Sequence, residues 1–553
     1  MSEVRILRSD GSAYPPSKPT KAQMLVGGSY GAPAYDAADV YGDHTRDWNP
    51  PLFSPDSETA FTRDRIVSRV RDLVRNDGWA SGAITRLLDN TIGGNFRPIM
   101  KPDFKALAAY TGNKGFDADW AHDFGKTLEA NYTHWANNPN RWCDAQRAMT
   151  VPQMLGVAFR HKIVDGDALA VLPWLDDRVA PGMARYATTV QLIDPDRLSN
   201  PYNTLNMLNM RNGVEIDDYG AAVAYHIRRA HQADMWAGVN SAIFDRIERE
   251  TSWGRPVVVL DYEHDRAGQH RGGAGVLTPV VQKLKMLFRY DTAELDSAII
   301  NAVMASYVES PYDPELIKEA MGNDSDALGE LNGYQTGRAE FRKERPIAVG
   351  SAQTLSLFPG EKFGMTTVAR PNPNFAGFEK AVLRNVASAG GLSSMQVTND
   401  WSDVNYSSAR GALMEFWKTT YRRRHNFAIG FAYPILQAFA EESFEVDNLP
   451  LPPGAPEFAE MPSAYCRSNW IGPAKGWMDP KAELEGAILG MSAGLMDFDQ
   501  ICAEQGVEAD DMIAARAKLK ERFIAAGAEL PAWLLPPQPA KPDAPIAQPD
   551  VTQ

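Results

Sequence analysis

The chain has 553 residues, which is long enough for several domains or for one elongated subunit with several parts. Its residues are 44% hydrophobic and 23% charged, which is the ordinary composition of a folded protein. The net charge of −14 argues against a protein that binds nucleic acid over a broad surface, because such binding needs Lys and Arg to displace counterions. The same charge is compatible with a surface that DNA passes without binding tightly. Three scattered cysteines, Cys143, Cys466 and Cys502, exclude a disulfide framework and a zinc site.

The first half of the chain is predicted to change from an arm to helices and then to strands. Residues 1–60 are rich in Gly, Pro, Tyr and Asp without periodicity, which indicates an extended N-terminal arm. Apolar stripes predict helices over 64–93, 118–135 and 151–161. Alternating patterns bounded by turn residues predict strands at 167–174, 187–194, 214–217, 222–229 and 255–263. Because the strands cluster instead of alternating with helices, this region is expected to be mixed α+β.

Two long helices are predicted next, with a small insertion between them. Thr278 and Pro279 form a cap followed by a first-turn proline, and the helix they open is predicted to reach residue 304. Residues 310–372 are first acidic and Gly-rich and then show short strand patterns, which indicates a small separate part. The second long helix is predicted over 375–388. The whole chain is therefore expected to be predominantly helical α+β.

The C-terminal part is predicted to be helical over 480–527 and to end in a disordered, Pro-rich tail over 531–553. The longest apolar stretch, residues 427–440, is too short to cross a bilayer and is interrupted by Pro434. The N-terminus has no charged region followed by an apolar one, so no secretory signal is expected. We therefore expect a protein of a reducing cytoplasm without a membrane partner.

A polar segment followed by a basic helix occupies residues 391–425. Small and polar residues, two of them acidic, follow a helix-breaking Gly pair, and both Asp403 and Asn405 are suitable helix N-caps. One apolar stripe marks the helix, and its residues are Leu413, Trp417, Thr420 and Tyr421. The helix is predicted to end on a basic cluster over 422–425, where cations complement the macrodipole. Whether this cluster contacts phosphate or only stabilises the helix is left open by the sequence.

Two acidic pairs are the strongest candidates for a metal-dependent site. Asp165 with Asp167, and Asp194 with Asp196, could bind a divalent cation if the fold brought them together, because hard ions prefer several carboxylates. Each pair also lies at a strand end beside Gly or Pro, where Asp is favoured as a turn former. A metal-dependent nuclease or hydrolase is the alternative hypothesis. No nucleophile–base pair, nucleotide fingerprint or cofactor motif is found, so covalent catalysis is not expected.

Four separated groups of segments, in order, resemble the lambda-type phage portal family. Together they span roughly residues 65–527. They are 71–76 with 83–84 and 92–93; 166–168 with 191–198; 213–217 with 220, 224–227 and 270–272; and 405–410 with 470–473 and 477–480. This resemblance implies a structural protein without enzymatic activity, which forms a ring of usually twelve copies at one vertex of a phage head. Double-stranded DNA would enter and leave through its channel.

The resemblance also implies a division of the chain and a set of partners. By this division 61–275 is the wing, 276–309 and 373–390 are the two stem helices, 310–372 is the clip, 391–405 is the tunnel loop and 406–530 is a helical wing and crown region. The implied partners are further copies of the chain, double-stranded DNA, the terminase large subunit, head–tail connector proteins, and the major capsid and scaffold proteins. The implied location is the virion, with the host cytoplasm during assembly.

The segment 391–425 then supplies the predicted site residues, and no cofactor or metal is expected there. The predicted tunnel-loop residues facing DNA are Ser393, Ser394, Gln396, Asn399, Asp400, Asp403 and Asn405. The predicted phosphate contacts are Lys418, Arg422, Arg423 and Arg424.

Overall fold

The structure, a computed structural model, describes residues 36–38, 44–302, 306–309, 362–365, 375–402, 405–476, 479–531 and 534, together with short pieces between 333 and 344. Most of the predicted arm (1–60), most of the insertion (310–372), Asp403 and nearly all of the tail (531–553) lie outside the described residues. The described chain is mostly helical and carries short strands, which confirms the predicted α+β class.

Helices dominate the first part of the described chain. The single helix predicted over 64–93 is two helices, because Asp77 has an extended backbone and its side chain accepts a hydrogen bond from the Ala80 amide at 2.8 Å. Asp77 therefore ends one helix and caps the next. The other two predicted helices are confirmed within a few residues. The helices are α1 (Pro55–Ala60), α2 (Arg63–Asn76), α3 (Gly78–Thr91), α4 (Phe104–Thr111), α5 (Ala118–Ala136) and α6 (Val151–Asp165).

The strands pair antiparallel in small sheets. The five predicted strand runs are confirmed with shorter bounds. The strands are β1 (Arg97–Met100), β2 (Asp167–Val171), β3 (Gln191–Ile193), β4 (Met210–Arg211), β5 (Val214–Ile216), β6 (Ala222–Arg228), β7 (Phe244–Glu248), β8 (Val258–Tyr262), β9 (Ser306–Glu309), β10 (Lys362–Met365) and β11 (Ser468–Ile471). One sheet has the order β3-β2-β8 and another the order β4-β5-β6-β7, while β1 pairs with β11 and β9 with β10. Every residue of β2 is buried, so this strand lies in the interior.

The two long helices are present and contact each other. They are α7 (Val281–Ala302), which follows a short 3-10 turn at Thr278–Val280, and α8 (Phe375–Gly390). The Tyr290 ring of α7 lies 5.4 Å from the Phe375 ring and 5.3 Å from the Phe378 ring of α8, measured between centroids. Strand β9 ends where the insertion begins and pairs with β10, which lies inside the insertion near its end, with Glu309 opposite Lys362.

A nearly continuous helical stretch forms the centre of the core, and it does not end where the sequence predicts. After α9 (Ser394–Thr398), helix α10 (Tyr406–Phe427) continues through a π-helical turn (Ala428–Ala432) into α11 (Tyr433–Val446). The predicted end at residues 422–425 is therefore wrong. The stretch continues because Phe427 and Phe431, both fully buried, stack at 5.4 Å within the core. Packing of these aromatic rings thus determines how far the helix extends, and the basic cluster does not end it.

The C-terminal helices lie at the edge of this core. They are α12 (Pro462–Tyr465), α13 (Pro480–Ser492), α14 (Phe498–Glu504) and α15 (Ala509–Ala525). Tyr465 is fully buried among aromatic rings, whereas α13 buries none of its residues. Among the residues that the structure describes, no helix combines the length and the apolar character needed to cross a membrane.

Candidate functional site

The segment between α8 and α10 is held by local caps. Gly391 has a φ of +66°, and a Cβ atom there would lie 3.0 Å from the Thr419 side chain, so glycine suits this turn. The Ser393 side chain accepts a hydrogen bond from the Gln396 amide, and the Gln396 side chain accepts one from the Ser393 amide. This capping box starts α9, whose Val397 is buried. The segment predicted as a loop over 391–405 therefore contains a short helix.

The exposed part of the segment begins at Asn399. Ser393, Ser394 and Gln396 are only half-buried, while Asn399 and Asp400 are exposed. Asn399 has a φ of +54°, and its side-chain oxygen accepts a hydrogen bond from Arg86 of α3 at 2.9 Å. This contact fixes the segment to the helical body. Asp403 lies outside the described residues.

The exposed Asp400 carboxylate supplies the negative charge at this surface. It accepts hydrogen bonds from the backbone amide and the hydroxyl of Ser402, and these bonds lower the pKa of Asp400. The Lys380 ammonium group lies 3.6 Å from it. Asp400 therefore remains ionised at neutral pH.

Helix α10 begins at the predicted cap and buries the predicted stripe. The Asn405 side chain accepts a hydrogen bond from the Ser408 amide at 2.8 Å, so Asn405 is the N-cap. Trp417 and Thr420 are buried, and Leu413 and Tyr421 pack partly buried against the core. The helix thus presents one face to the core and one to the surface.

The basic cluster at residues 422–424 is divided between the interior and the surface. Arg424 is 7% exposed and donates hydrogen bonds to the carbonyls of Thr91 at 2.9 Å and Asn90 at 3.0 Å. Arg423 donates to the Gly390 carbonyl at 2.6 Å. Burial lowers the pKa of both arginines. Of the two interpretations that the sequence left open, the structural one fits Arg423 and Arg424, because both guanidinium groups bind backbone carbonyls.

Lys418 and Arg422 remain accessible on the outer face of α10. The Lys418 side chain is 70% exposed and lies 2.7 Å from Glu415, and the Arg422 side chain is 61% exposed and lies 3.6 Å from Glu263. Arg410 is exposed as well, and the sequence analysis did not name it among the candidate phosphate contacts. The signal was its spacing, because positions 410, 418 and 422 follow one another at multiples of four residues and so form a band that turns gradually around the helix.

The four carboxylates of the alternative hypothesis do come close together, but arginines hold them. Arg63 binds Asp167 at 2.8 Å and Asp196 at 3.0 Å. Arg71 binds Asp165 at 2.8 Å, Asp196 at 2.8 Å and Asp194 at 3.1 Å, and Arg271 also binds Asp167. Burial alone would raise the pKa of Asp165, but hydrogen bonds from His161 and Arg71 lower it overall. The negative charge is thus balanced by protein cations.

This arrangement weakens the case for a metal site at these carboxylates. Asp194, Asp196 and His231 have candidate ligand atoms within 4.8 Å of one another. Both aspartates, however, already accept hydrogen bonds from Arg71. A divalent cation would have to displace this guanidinium group, so the geometry fits an ion-pair network better than a hydrolytic centre.

Comparison with known proteins identifies the family. The family model described as phage portal protein, lambda family, matches residues 41–424. This chain belongs to the lambda family of phage portal proteins. The match includes the exposed segment and most of α10, so the family that the sequence resembles is confirmed.

Relatives of this portal-family chain carry similar names. It is 28% identical over 496 residues to the portal protein of Escherichia phage N15, covering 89% of this chain and 91% of the relative. It is also 28% identical over 496 residues to portal protein B of Escherichia phage lambda, covering 89% and 90%. Among solved structures, a chain from the neck of an empty GTA particle has a TM-score of 0.43 at 12% identity, over 79% of this chain and 93% of that one.

Proposed function

We propose that this chain is the subunit of a portal ring, a structural protein through which double-stranded DNA enters a phage head during packaging and leaves it during ejection. The observation that carries the proposal is the family match over residues 41–424 together with 28% identity to two portal proteins over 89% of the chain. The ring has twelve copies in this proposal. It lies at the portal vertex of the virion and assembles in the host cytoplasm without a cofactor or a reaction of its own.

The division of the chain extends this proposal. Helices α7 and α8 are the stem, and the insertion over 310–372 is the clip. The clip contacts the terminase large subunit first and the head–tail connector proteins later. The wing over 61–275 and the crown region within 406–530 contact further copies and the capsid and scaffold proteins. The pairing of β9 with β10 at the base of the insertion supports a part mounted on two helices.

The exposed segment that starts at Asn399 is the DNA-facing surface in this proposal. Asp400 is exposed and ionised, and it lies on a segment that Arg86 and the Ser393 cap hold in place. A fixed negative group repels phosphate and gives DNA few deep binding minima, so the duplex slides past. Lys418 and Arg422 on the outer face of α10 remain the candidates for weak phosphate contacts.

Electron microscopy of the purified protein tests the ring itself. Closed rings with an axial channel are expected, and a strictly monomeric particle at high protein concentration would contradict the proposal. A second experiment tests the surface. Replacing residues 399–403 by a Gly-Ser linker retains α9 with its buried Val397. Rings should form normally, but packaging and retention of DNA should fall.

A matched control separates an effect at this surface from a general effect on the particle. The control is the same linker with aspartate kept at position 400, where the exposed carboxylate of the segment lies. It changes the same backbone but keeps the negative charge, so it should package DNA better than the linker without it. If the linker variant also packages normally, the DNA-facing assignment of residues 399–403 is wrong, although the ring proposal stands. If the linker variant does not fold, the segment has a structural role instead.

A further inference from the structure

The C-terminal unit, which comprises α13 to α15, meets the rest of the subunit with few buried apolar side chains. The body is the described chain before residue 477. Helix α13 buries no residue, and α14 and α15 bury only Cys502 and Ala509. Helices that are attached by apolar packing turn a broad apolar stripe toward the core. The attachment of this unit to the body therefore depends on other contacts.

A cavity of about 1400 Å³ lies between the unit and the body, and its two walls differ in charge. Among the described residues that line it, the unit contributes five acids, one glutamine and two apolar residues, Ala503 and Ala509. The acids are Asp497, Asp499, Glu504, Glu508 and Asp510. The body contributes one acid, Glu129, and a larger set of basic residues, which are Lys101, His122, Lys126, Arg424, His425 and Arg467. The charged groups of the unit's wall are thus acidic, and those of the body's wall are mostly basic.

Five ion pairs join the unit to the body, and each takes a lysine or arginine from the body and an acid from the unit. The three cations lie on β1, directly after β1 and on α5, while the acids lie on α14 and at the start of α15. The pairs are Lys101 with Asp499 at 2.7 Å, Lys126 with Asp510 at 3.2 Å and with Glu508, and Arg97 with Glu508 at 3.8 Å and with Asp511 at 3.7 Å. These five pairs form a clasp.

Most of the clasp is accessible to solvent, so salt weakens it. The side chains of Lys101 and Asp499 are 42% and 50% exposed. Exposed pairs contribute little each, and salt screens them, since the Debye length falls from about 10 Å at 0.1 M ionic strength to about 3 Å at 1 M. Because little apolar surface is buried beside the pairs, screening the clasp removes much of what attaches the unit.

The chain enters the unit through a short exposed connection. Gly472 is buried in the body, whereas residues 474–476 are exposed. The Lys475 amide donates a hydrogen bond to the Glu504 carbonyl at 3.1 Å, which ties the connection to α14. The backbone at Gly506 also approaches it, since a Cβ atom there would lie 3.3 Å from the Gly472 carbonyl oxygen. The unit is therefore closest to the body's backbone at the point where the chain enters it, which suits a pivot.

We propose that the C-terminal unit is a hinged part of the subunit, which the clasp holds closed against the body and which rising ionic strength opens. The pivot is the connection over 472–476. Opening solvates both charged walls and leaves the aromatic core of the body unchanged, because the clasp residues lie outside that core. The inference does not depend on the proposed ring function, since every contact that it uses lies within one copy.

Energy transfer between two fluorescent labels tests the opening in the full chain. Tyr110 of α4 and Ile513 of α15 are exposed, so Tyr110→Cys and Ile513→Cys accept labels at low salt while the native cysteines are buried. Labelled copies are diluted among unlabelled ones, so that transfer occurs within one copy. Raising NaCl from about 0.05 M to about 1 M should lower the transfer, whereas sucrose of equal osmolality should not. Transfer that does not change with salt would overturn the inference.

A charge-reversal cycle assigns the opening to the clasp. K101E places like charges opposite each other at Asp499, and K101E/D499K restores the pair with reversed sign. At low salt K101E should raise the ratio of open to closed unit about fivefold, and the double variant should reverse most of this change. K105E on α4 is the matched control, because it changes the net charge equally at an exposed lysine outside the clasp.

Circular dichroism of each variant checks folding, which should not change because Lys101 and Asp499 are both exposed in large part. Equal opening in K101E and K105E, or no recovery in the double variant, would contradict the clasp. Failure of the unmodified protein to form rings would instead contradict the proposed function, and it would leave the measured opening as it is.

Discussion

Replacing Arg424 by alanine gives the sharpest test of how the basic cluster works. If this arginine is structural, the R424A variant should unfold more easily in the absence of any DNA. The side chain is 7% exposed and donates to the Thr91 and Asn90 carbonyls at 2.9 and 3.0 Å, with the Pro473 carbonyl at 3.3 Å. It therefore joins the end of α3 and the turn after β11 to α10.

The expected loss follows from these contacts. Hydrogen bonds from a charged donor contribute about 1.5–3 kcal/mol each, so two good bonds give roughly 3–6 kcal/mol before compensation. Removing the guanidinium group also removes its own desolvation cost, which lowers the net loss to about 2–4 kcal/mol. The neighbouring Arg422 has a side chain that is 61% exposed and 3.6 Å from Glu263, and an exposed pair of this kind contributes about 0–1 kcal/mol. R422A is therefore the matched control.

Hydrogen exchange is the suitable assay, because a chain of 553 residues need not unfold in one step. In R424A, amides at the end of α3 should exchange faster by the factor that corresponds to about 2–4 kcal/mol, while R422A should match the unmodified protein. Melting temperatures should show the same order. Equal protection of α3 in both variants would refute the structural role of Arg424. Arg424 would then again be a candidate phosphate contact.

Two further predictions concern the core. Gly430→Ala places a Cβ atom 2.4 Å from a carboxylate oxygen of β8, so in G430A the amides of the π-helical turn should exchange faster by the factor that corresponds to about 1–3 kcal/mol. In G411A, where no atom lies within 4 Å of the added Cβ, exchange should be unchanged or slightly slower. Equal effects of the two variants would contradict the packing of the π-helical turn. The pKa of Asp165 is lowered, because hydrogen bonds from His161 and Arg71 outweigh the effect of burial. The ionised carboxylate therefore stabilises the folded protein at pH values above its unfolded pKa. This stability is lost as the pH falls through the folded pKa. D165N should flatten the fall in melting temperature below about pH 4, and an unchanged acid profile would exclude this linkage.

The parts of the fold that could be predicted have strong local signals. The stripe of α3, the helices over 118–136 and 151–165 and the cap at Asn405 each follow from a few neighbouring residues. The break at Asp77 was missed although an N-cap residue stood there, because the apolar stripes on both sides read as one helix. The continuation past residue 425 could not be predicted, since it depends on tertiary packing of aromatic rings.

The contacts of the candidate site residues could not be predicted from the sequence, because their partners lie far away along the chain. Arg422 and Arg424 are two residues apart and look alike in sequence, yet the carbonyl that accepts from Arg424 belongs to Thr91, 333 residues away. The carboxylates of Asp165 and Asp196 likewise accept hydrogen bonds from Arg71, which lies 94 and 125 residues away along the chain. Sequence spacing identifies which residues share a helix face, but it does not show what lies opposite that face.

The helix that carries the exposed segment is anchored by contacts that do not involve the segment's exposed residues. Arg423 binds the Gly390 carbonyl at 2.6 Å and so joins the C-terminal part of α10 to the end of α8, where the segment begins. Arg424 fixes the same helix to α3. The charge at Asp400 can therefore be changed without altering this framework. A loss of DNA packaging in a D400N variant that forms normal rings would thus report on the surface that DNA meets, because the anchors that hold it remain in place.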